Sequence, residues 1–368
     1  MNITVLTSSR ADYSIYLPLL RALEKDTFFS LNIIAFGTHL SKEYGNTIEQ
    51  IINDGFKVTE GIETMASGDQ PVNISTAIGD IVQKFSKVWQ KLNTDIIISL
   101  GDRYEMFAAC LAAVPFGHKI AHIHGGETTL GAIDEIFRNS ITQMSQFHFV
   151  TTDIYAQKVA SLKGSSANVF NVGALSIDNL KSLQLLSIQE FKDQFNIDLS
   201  IPTILVTFHP ETVEYKKNEI FINELLTALG EVKEYQIVIT MPNADTMGLM
   251  IRKEIEAFLN KTSHAIGIES FGTIGYLTCM KYCSFLLGNT SSGFVEGTFF
   301  PKYVINLGNR QEGRIITDNI ENCVIEKKEI MKAIEGFKTR KLPKAIDEYG
   351  DGNTAIKIKN ILKSISLE

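Results

Sequence analysis

Short runs of aliphatic and β-branched residues alternate along the chain with longer segments whose apolar residues recur at the helical period. The short runs predict buried strands, and the longer segments predict amphipathic helices. In the first half, the predicted strands are Ile3–Leu6, Leu31–Ala35, Ile96–Ser99, Ile120–Ile123, Phe147–Val150 and Val169–Asn171. The predicted helices between them are Ile15–Glu24, Lys42–Asn53, Ile74–Lys91, Met106–Val114, Ile136–Met144 and Ile154–Leu162. Such alternation predicts a parallel sheet covered by helices on both faces.

The alternation restarts after Pro202. The predicted strands of the second half are Thr203–Phe208, Gln236–Thr240, Ser284–Leu287 and Tyr303–Asn306. The predicted helices are Asn218–Leu229, Thr246–Leu259, Ile274–Tyr282, Gly293–Phe299 and a final helix, Thr354–Leu362, which fits either half. A polar stretch from Val172 to Ile201, with one short predicted helix at Ile188–Phe195, places the domain boundary near Gly173. The predicted fold class is α/β, with two Rossmann-like doubly wound domains facing each other across a cleft.

Composition narrows the class of protein. Hydrophobic residues make up 44% and charged residues 21% of the 368 residues, as in ordinary globular proteins. A net charge of −7 argues against non-specific nucleic-acid binding, which needs a basic surface. The start of the chain lacks the features of a signal peptide, and no apolar run could span a membrane, so we expect a cytoplasmic protein without membrane partners. The four scattered cysteines favour buried free thiols over a zinc site.

Ionisable residues crowd the ends of two successive predicted strands. Asp102 and Arg103 follow the strand Ile96–Ser99, and Glu127 follows the strand Ile120–Ile123. Ligands bind at the carboxyl ends of parallel strands, so we expect these side chains to line a site. Crowded carboxylates raise one another's pKa values, which lets one act as a general acid while another stays a base.

The helix that follows adds further charges to this cluster. Glu135 and Arg138 are three residues apart and share one helical face, whereas Asp134 also fits a helix N-cap. A hard metal ion that bridges a diphosphate through the same carboxylates is the alternative interpretation. The sequence leaves Asp134 and Glu135 unresolved as catalytic candidates, and we favour Glu135 because Arg138 lies on its face.

Several loops have the composition of a phosphate site, in which small residues open a helix beside a cation. In Thr7–Tyr13 the small hydroxyl residues leave backbone amides available, and in Gly288–Gly293 a Ser-rich turn precedes a glutamate suited to ribose hydroxyls. Each such loop also fits a plain capping turn or a solvated surface segment. The residues singled out in these and neighbouring loops are Arg10, His209, Asn243, Ser291, Ser292, Glu296, Arg310 and Arg314.

These motifs resemble those of the hydrolysing UDP-N-acetylglucosamine 2-epimerases, especially the bacterial branch of the sialic-acid and nonulosonic-acid pathways. The matching stretches are Ser9–Tyr13, Gly101–Glu105, His124–Glu127, Ile133–Arg138, His209–Thr212, Asn289–Ser292 and Asn306–Arg314, in order along the chain. The resemblance implies a GT-B-like fold. In that fold, an N-terminal domain (1–172) receives the C-terminal helix (352–368), and the second domain (173–351) holds UDP.

The reaction that the resemblance implies removes the proton at C2 of the sugar and expels UDP, giving a 2-acetamidoglucal. Water then adds to release N-acetylmannosamine for sialic-acid-type biosynthesis. The resemblance implies no redox cofactor, no required metal, and a homodimer or homotetramer. The implied catalytic residues are Asp102, Glu127, Asp134, Glu135 and His209. The implied residues for UDP and sugar are Arg10, Arg103, Arg138, Asn243, Ser291, Ser292, Glu296, Arg310 and Arg314.

UDP-N-acetylglucosamine is the substrate that we expect, and UDP- or GDP-linked 2,4-diacetamido-2,4,6-trideoxyglucose is the alternative. A non-hydrolysing 2-epimerase, which keeps UDP attached to its product, is a further alternative. A GT-B glycosyltransferase and a nucleotide-sugar sensor without activity are the remaining ones. The crowded carboxylates favour the epimerase over these last two classes, because neither needs several carboxylates at one strand edge.

Overall fold

The computed structural model describes residues 1–42, 45–64, 68–242, 247–338, 340–341, 343–344 and 346–365. The chain forms two compact units. Unit 1 comprises Met1–Glu127, Asp134–Lys181 and Glu348–Glu368, and unit 2 comprises Thr128–Ile133 and Ser182–Asp347. One short segment of unit 2 therefore interrupts the sequence of unit 1.

The strands of unit 1 are β1 (Asn2–Thr7), β2 (Ser30–Phe36), β3 (Glu60–Ile62), β4 (Ile96–Leu100), β5 (Lys119–Ile123), β6 (Phe147–Val150) and β7 (Val169–Asn171). In the described part of this unit they form one parallel sheet in the order β3-β2-β1-β4-β5-β6-β7. Its helices are α1 (Arg10–Glu24), α2 (Ile48–Asn53), α3 (Pro71–Trp89), α4 (Tyr104–Ala113), α5 (Asp134–Met144), α6 (Asp153–Lys163), α7 (Leu175–Ser182) and α14 (Thr354–Ser364).

The strands of unit 2 are β8 (Thr203–Thr207), β9 (Gln236–Thr240), β10 (Ala265–Ile268), β11 (Phe285–Gly288), β12 (Val304–Leu307) and β13 (Ile320–Cys323). Within the residues described for this unit they form a parallel sheet in the order β10-β9-β8-β11-β12-β13. Its helices are α8 (Ile188–Phe195), α9 (Asn218–Glu231), α10 (Gly248–Leu259), α11 (Gly272–Tyr282), α12 (Glu296–Phe299) and α13 (Lys327–Phe337). Both sheets follow the doubly wound Rossmann order, which confirms the predicted α/β class.

Successive side chains of each central strand point to opposite faces of the sheet, and helices cover both faces. The sequence of such a strand is therefore a continuous run of apolar residues. In unit 1, Val5 of β1 packs in the cluster that also holds α1, whereas its neighbour Leu6 packs in the cluster that holds α3. Trp89 is 2% exposed in that second cluster. Unit 2 has a corresponding cluster around β8, β9 and β11.

The final helix α14 packs on unit 1. Ala355, Ile358 and Leu362 join the cluster formed by α1 and the sheet. The carboxylate of Asp178, in α7, accepts hydrogen bonds from the backbone N–H groups of Thr354 (2.9 Å) and Ala355 (2.7 Å). Asp178 thus satisfies two buried amides at the start of this helix, which have no acceptor within the helix, from a distant part of the chain.

Two predicted helices begin several residues later than expected. The helix predicted at Lys42–Asn53 begins at Ile48, because Gly45 and Asn46 have φ angles of 87° and 46°, which a right-handed helix does not accept; positions 43 and 44 lie outside the described residues. The helix predicted at Gly293–Phe299 is confined to Glu296–Phe299, because a separate 3₁₀ turn, Ser291–Gly293, precedes it.

The elements that the prediction from the hydrophobic pattern did not include are β3, β10, β13, α7 and α13. Cys110, Cys279 and Cys283 are buried free thiols, as expected, and Cys323 is partly exposed. None of the helices among the described residues combines the length and apolar character needed to cross a membrane.

Candidate active site

Some of the candidate residues follow the strands at which the order of each sheet reverses. In unit 1 this point lies between β1 and β4, so the loops that carry Arg10 and Asp102 meet there. In unit 2 it lies between β8 and β11, where the loops that carry His209 and Ser291 begin. Such a switch point leaves a crevice outside the carboxyl ends of the strands, which is where open α/β sheets bind ligands.

Arg138 is the centre of the charged cluster in unit 1. Its side chain is 2% exposed and forms ion pairs with Asp102 and Glu135, the latter at 2.9 Å. Its Nη1 also donates to the backbone carbonyl of Glu127 at 2.8 Å. One buried guanidinium therefore joins the turn after β4, the turn after β5 and the first turn of α5, and it compensates carboxylates that would otherwise be costly to bury.

Glu135 has a second cationic partner. The Nζ of Lys158, from α6, lies 2.8 Å from Glu135 Oε1, and the Nδ2 of Asn139 donates to the same oxygen at 3.2 Å. Asp134 begins α5 and is partly buried. Arg138 and Lys158 thus hold Glu135 in place from two sides. The choice between Asp134 and Glu135 stays a prediction.

Glu127 is buried, at 4% exposure, between two polar neighbours. The Oγ1 of Thr151 donates to its Oε1 at 3.3 Å, and His124 Nδ1 lies 3.5 Å from the same oxygen. His124 has a φ of 66°, which is uncommon for a residue other than glycine and costs free energy that the surrounding structure must supply. Strained backbone of this kind concentrates at functional sites.

His122 has a structural part in the same cluster. Its Nε2 donates to the carbonyl of Gly101 at 2.8 Å, and its Nδ1 accepts from the Oγ1 of Thr142 at 3.1 Å. Burial lowers the pKa of His122 to about 4, so the ring is neutral at physiological pH. A neutral imidazole therefore fixes the turn that presents Asp102.

Arg103 is held by its own loop. Its Nε and Nη2 donate to the two carboxylate oxygens of Glu105 at 3.2 and 3.1 Å, and Glu105 is fully buried. The guanidinium is thus anchored in a bidentate pair, and its predicted contact with substrate stays a prediction. Sequence reasoning named the motif but did not foresee this pairing.

The loop between β1 and α1 differs from the expectation that its amides are available to a phosphate. The carboxylate of Asp12 accepts from the backbone N–H groups of Ser8 (2.8 Å), Ser9 (2.9 Å) and Tyr13 (2.8 Å). That expectation is wrong, because Asp12 and Ser9 form a capping box that already satisfies these donors. Arg10 is the first residue of α1, directly after this cap, and its role stays a prediction.

His209 is fixed by a reciprocal pair of hydrogen bonds in unit 2. Its backbone N–H donates to Asn289 Oδ1 at 2.7 Å, and Asn289 Nδ2 donates to the His209 carbonyl at 2.8 Å. Asn289 is fully buried and lies directly after β11. The two loops at the switch point of unit 2 are therefore joined to each other.

The loop that carries Arg310 and Arg314 is tied to the same pair. The Nε2 of Gln311 donates to the Asn289 carbonyl at 2.9 Å, and Arg314 Nε donates to Gln311 Oε1 at 2.6 Å. Glu211, which is 1% exposed, accepts from the backbone N–H of Asn309 at 2.8 Å. Burial raises the pKa of Glu211, although these backbone donors partly oppose that effect.

The Ser-rich turn of unit 2 places Ser291 at the surface and Ser292 half-buried. Ser292 Oγ lies 2.6 Å from the hydroxyl of Tyr276, and Glu296 begins α12 just after the turn. Asn243, the remaining candidate, lies outside the described residues. Asn289 joins this turn to the loop that carries Arg310 and Arg314, because it directly precedes the turn segment and its carbonyl accepts from Gln311 in that loop.

Sequence reasoning missed the residues that position the others. Each of these residues lies outside the motifs that we used, or lies inside a motif whose role we gave to a neighbouring residue. They are Lys158, His122, Asp12, Glu211 and Gln311. A signal was available for Glu211 and Gln311, since each lies inside a stretch that matched the family. Lys158 had no such signal, because its partner Glu135 is distant along the chain.

The geometry of unit 1 suits proton transfer. Asp102 and Glu135 pair with Arg138, and Glu127 is joined to Arg138 through its backbone carbonyl. The exposure of the three side chains differs: Asp102 is 25% exposed, whereas Glu135 is 13% and Glu127 is 5% exposed. Among the residues that the structure describes, no group of three or more histidine, cysteine or carboxylate side chains is arranged to hold a metal ion.

A protein-family model described as UDP-N-acetylglucosamine 2-epimerase matches residues 21–363. A GDP/UDP-N,N′-diacetylbacillosamine 2-epimerase (hydrolysing) from Campylobacter jejuni is 34% identical, and the match covers 86% of this chain and 83% of the relative. A UDP-N,N′-diacetylbacillosamine 2-epimerase (hydrolysing) from Legionella pneumophila is 29% identical over 99% of this chain and 96% of the relative.

Among solved structures, the UDP-N-acetylglucosamine 2-epimerase of Neisseria meningitidis bound to UDP-N-acetylglucosamine superposes with a TM-score of 0.84. The two chains are 18% identical, and the match covers 99% of this chain and 100% of the other. At that identity the likeness establishes the fold, which is GT-B-like as expected.

Proposed function

The chain belongs to the UDP-N-acetylglucosamine 2-epimerase family, and we propose that it is a hydrolysing nucleotide-sugar 2-epimerase. The reaction consumes one water and converts a nucleotide diphosphate-linked 2-acetamido sugar into the free 2-epimer and the nucleoside diphosphate. The observation that carries the proposal is the cluster of Asp102, Glu127 and Glu135 around the buried Arg138. A glycosyltransferase or a sensor has no need of this cluster.

The first step that we propose is elimination. A carboxylate removes the proton from C2, the C1–O bond breaks, and its electron pair leaves with the nucleotide, giving a 2-acetamidoglucal. We assign the base to Asp102, because it is the most exposed of the three carboxylates and its turn is fixed by the neutral His122. A base for such a weakly acidic proton must be held in place.

The second step is hydration. Water supplies a hydroxyl to C1, and an acid returns a proton to C2 from the opposite face, which inverts that carbon. Glu127 and Glu135 are the candidates for this acid and for activating the water. Both are connected through Arg138, so a change at one affects the position of the other.

Departure of the nucleotide needs charge stabilisation at its diphosphate. We assign this to the loops of unit 2 that carry His209, Arg310 and Arg314, with Ser291 and Ser292 as further donors. Asn289 and Glu211 hold these loops in fixed positions before substrate binds. Preorganised donors of this kind stabilise developing charge at little cost in reorganisation.

We propose UDP-N,N′-diacetylbacillosamine, a UDP-linked 2,4-diacetamido-2,4,6-trideoxyglucose, as the first substrate to test. Two relatives that match most of the chain are named for that sugar, and one is also named for its GDP-linked form. UDP-N-acetylglucosamine, the substrate expected from the sequence, is the second candidate, because the family model is named for its 2-epimerase.

Proton NMR in D₂O tests the reaction. We expect free UDP and a free 2-epimer that carries deuterium at C2, formed from one of these substrates without added metal or acceptor. A nucleotide-linked epimer would place the protein in the non-hydrolysing class. Failure of the UDP- and GDP-linked sugars alike to react would refute the proposed activity.

The roles are tested with Asp102→Asn, Glu127→Gln and Glu135→Gln. Loss of the base prevents deuterium incorporation at C2, whereas loss of the hydration acid lets the glucal accumulate. Asp80→Asn, which removes an exposed carboxylate of unit 1 paired with Lys84, is the matched control and keeps wild-type turnover. Wild-type turnover in all three cluster variants would contradict the assignment.

A further inference from the structure

Residues 128–133, which we call the strap, leave unit 1 after Glu127 and return to it at Asp134. Their contacts group them with unit 2. Each end of the strap is therefore joined directly to an acidic residue of unit 1: Glu127 precedes it, and Asp134 and Glu135 follow it.

Two hydrogen bonds anchor the strap within unit 2. The backbone N–H of Leu130 donates to the carbonyl of Glu312 at 2.9 Å. The backbone N–H of Ile133 donates to the Oγ1 of Thr212 at 2.8 Å. The strap is thus bonded both to the loop that carries Arg310 and Arg314 and to the loop that carries His209.

The fit between strap and arginine loop leaves no room for an added side chain. A Cβ on Gly131 would collide with the backbone of Asn309 and would lie 2.7 Å from Arg310 Cα. On the other side of the contact, Gly313 has a φ of 87°, and a Cβ there would collide with the side chain of Thr128. Gly131 is needed because two backbones approach each other closely, and Gly313 is needed because of its positive φ and its contact with the Thr128 side chain.

The loops of unit 2 that contact the strap are also hydrogen-bonded to one another. Glu211, two residues after His209, accepts from Asn309, while Gln311 donates to the carbonyl of Asn289. The position of the arginine loop therefore sets the position of the strap through the Gly131 contact and the Glu312 carbonyl, and a diphosphate that steadies this loop also steadies the strap. No flexible spacer separates the strap from Glu127 or from the first turn of α5.

We propose that the strap is a positioning element for Glu127 and Glu135. Through the contact between Gly131 and the Asn309–Arg310 backbone, the positions of these two carboxylates depend on the loops of unit 2 that we assign to the diphosphate. The proposal rests on the proposed function of those carboxylates and loops. Its consequence is that the acid–base groups are aligned when nucleotide occupies unit 2. A displacement of about 1 Å in such groups costs about 100-fold in rate.

The test compares Gly131→Ala with Gly336→Ala in the full-length protein. The control adds the same methyl group to α13 of unit 2, where a Cβ meets nothing within 4 Å. We expect Gly131→Ala to retain UDP affinity by calorimetry and to lose about 100-fold in kcat. Gly336→Ala keeps wild-type values of both. Circular dichroism checks that each variant is folded.

Hydrogen exchange gives a readout that needs no turnover, so it separates this inference from the proposed reaction. In the wild type, UDP slows amide exchange in residues 129–138, and in Gly131→Ala it does not, although UDP binds. Thr212→Val, which removes the second anchor, shows the same loss to a smaller degree. The proposal is overturned if UDP gives no such protection in the wild type, if protection persists in Gly131→Ala, or if its kcat is unchanged.

Discussion

Replacing Arg138 with methionine tests whether one guanidinium holds the carboxylate cluster together. The variant keeps most of the side-chain volume but leaves Asp102 and Glu135 without their shared buried cation and removes the donor to the Glu127 carbonyl. Removing one partner of a buried ion pair costs about 3–5 kcal/mol. We expect the lower part of that range, because Asp102 is a quarter exposed and Glu135 keeps Lys158.

Urea unfolding followed by the fluorescence of Trp89 measures this cost. Trp89 is the single tryptophan of the chain and lies in the core of unit 1, so its signal reports the unit that contains Arg138. The double replacement Asp102→Asn with Glu135→Gln in the Arg138→Met background should restore part of the loss, because the uncompensated charges are gone. Lys357→Met, which breaks an exposed pair with Asp351, should leave the midpoint unchanged. A loss below about 1 kcal/mol in Arg138→Met would place this network among surface ion pairs and refute the reasoning.

Three further predictions concern His122, Asp178 and Glu211. Burial lowers the pKa of His122 from 6.5 to about 4, so the unfolded chain binds a proton at a higher pH than the folded chain does. The free energy of unfolding of unit 1 should therefore fall by up to about 3 kcal/mol as the pH falls from 6.5 to 4. Urea midpoints across that range measure it, and stability that rises on acidification would contradict it. Asp178→Ala should speed amide exchange throughout α14, since it leaves two buried N–H groups without an acceptor at about 1–3 kcal/mol; equal exchange rates in variant and wild type would show that packing alone holds the helix. Glu211→Ala should weaken UDP binding about tenfold, because the arginine loop loses the acceptor that holds Asn309. Glu211→Gln keeps an acceptor for Asn309 and should bind UDP normally, and calorimetry measures both affinities. Equal losses of affinity in the two variants would mean that the charge of Glu211, and not its hydrogen bond, matters.

Most elements of the fold were predictable because periodicity is a local property. Buried parallel strands such as Phe147–Val150 and Gln236–Thr240 were located to the residue, since apolar runs flanked by polar turns have one simple interpretation. Two of the strands that were not predicted have weak local signals. The strand Ala265–Ile268 contains a glycine, and Glu60–Ile62 has only three residues, so sheet neighbours rather than propensity hold them.

In the candidate site, too, the sequence predicted the features that depend on nearby residues and missed the long-range pairing. Asp102, Glu127 and Glu135 were placed near one another from sequence, because each follows a strand end of the same predicted sheet. Their shared partner Arg138 was assigned to Glu135 alone, since only that pair lies on one helical turn. The bond from Arg138 to Asp102 joins residues 36 positions apart, which no helical spacing predicts.

The sequence by itself determined two doubly wound α/β halves, their strand ends as the place for chemistry, and the acidic and basic residue types that stand there. Tertiary structure alone decided which charges are paired with each other. It paired Arg138 with Asp102 and Lys158 with Glu135, and it grouped residues 128–133 with unit 2. The physical reason is the distance along the chain between the residues involved. Hydrophobic periodicity depends on residues within one helical turn or one strand, whereas a buried charge needs a partner that the fold can bring from a distant segment.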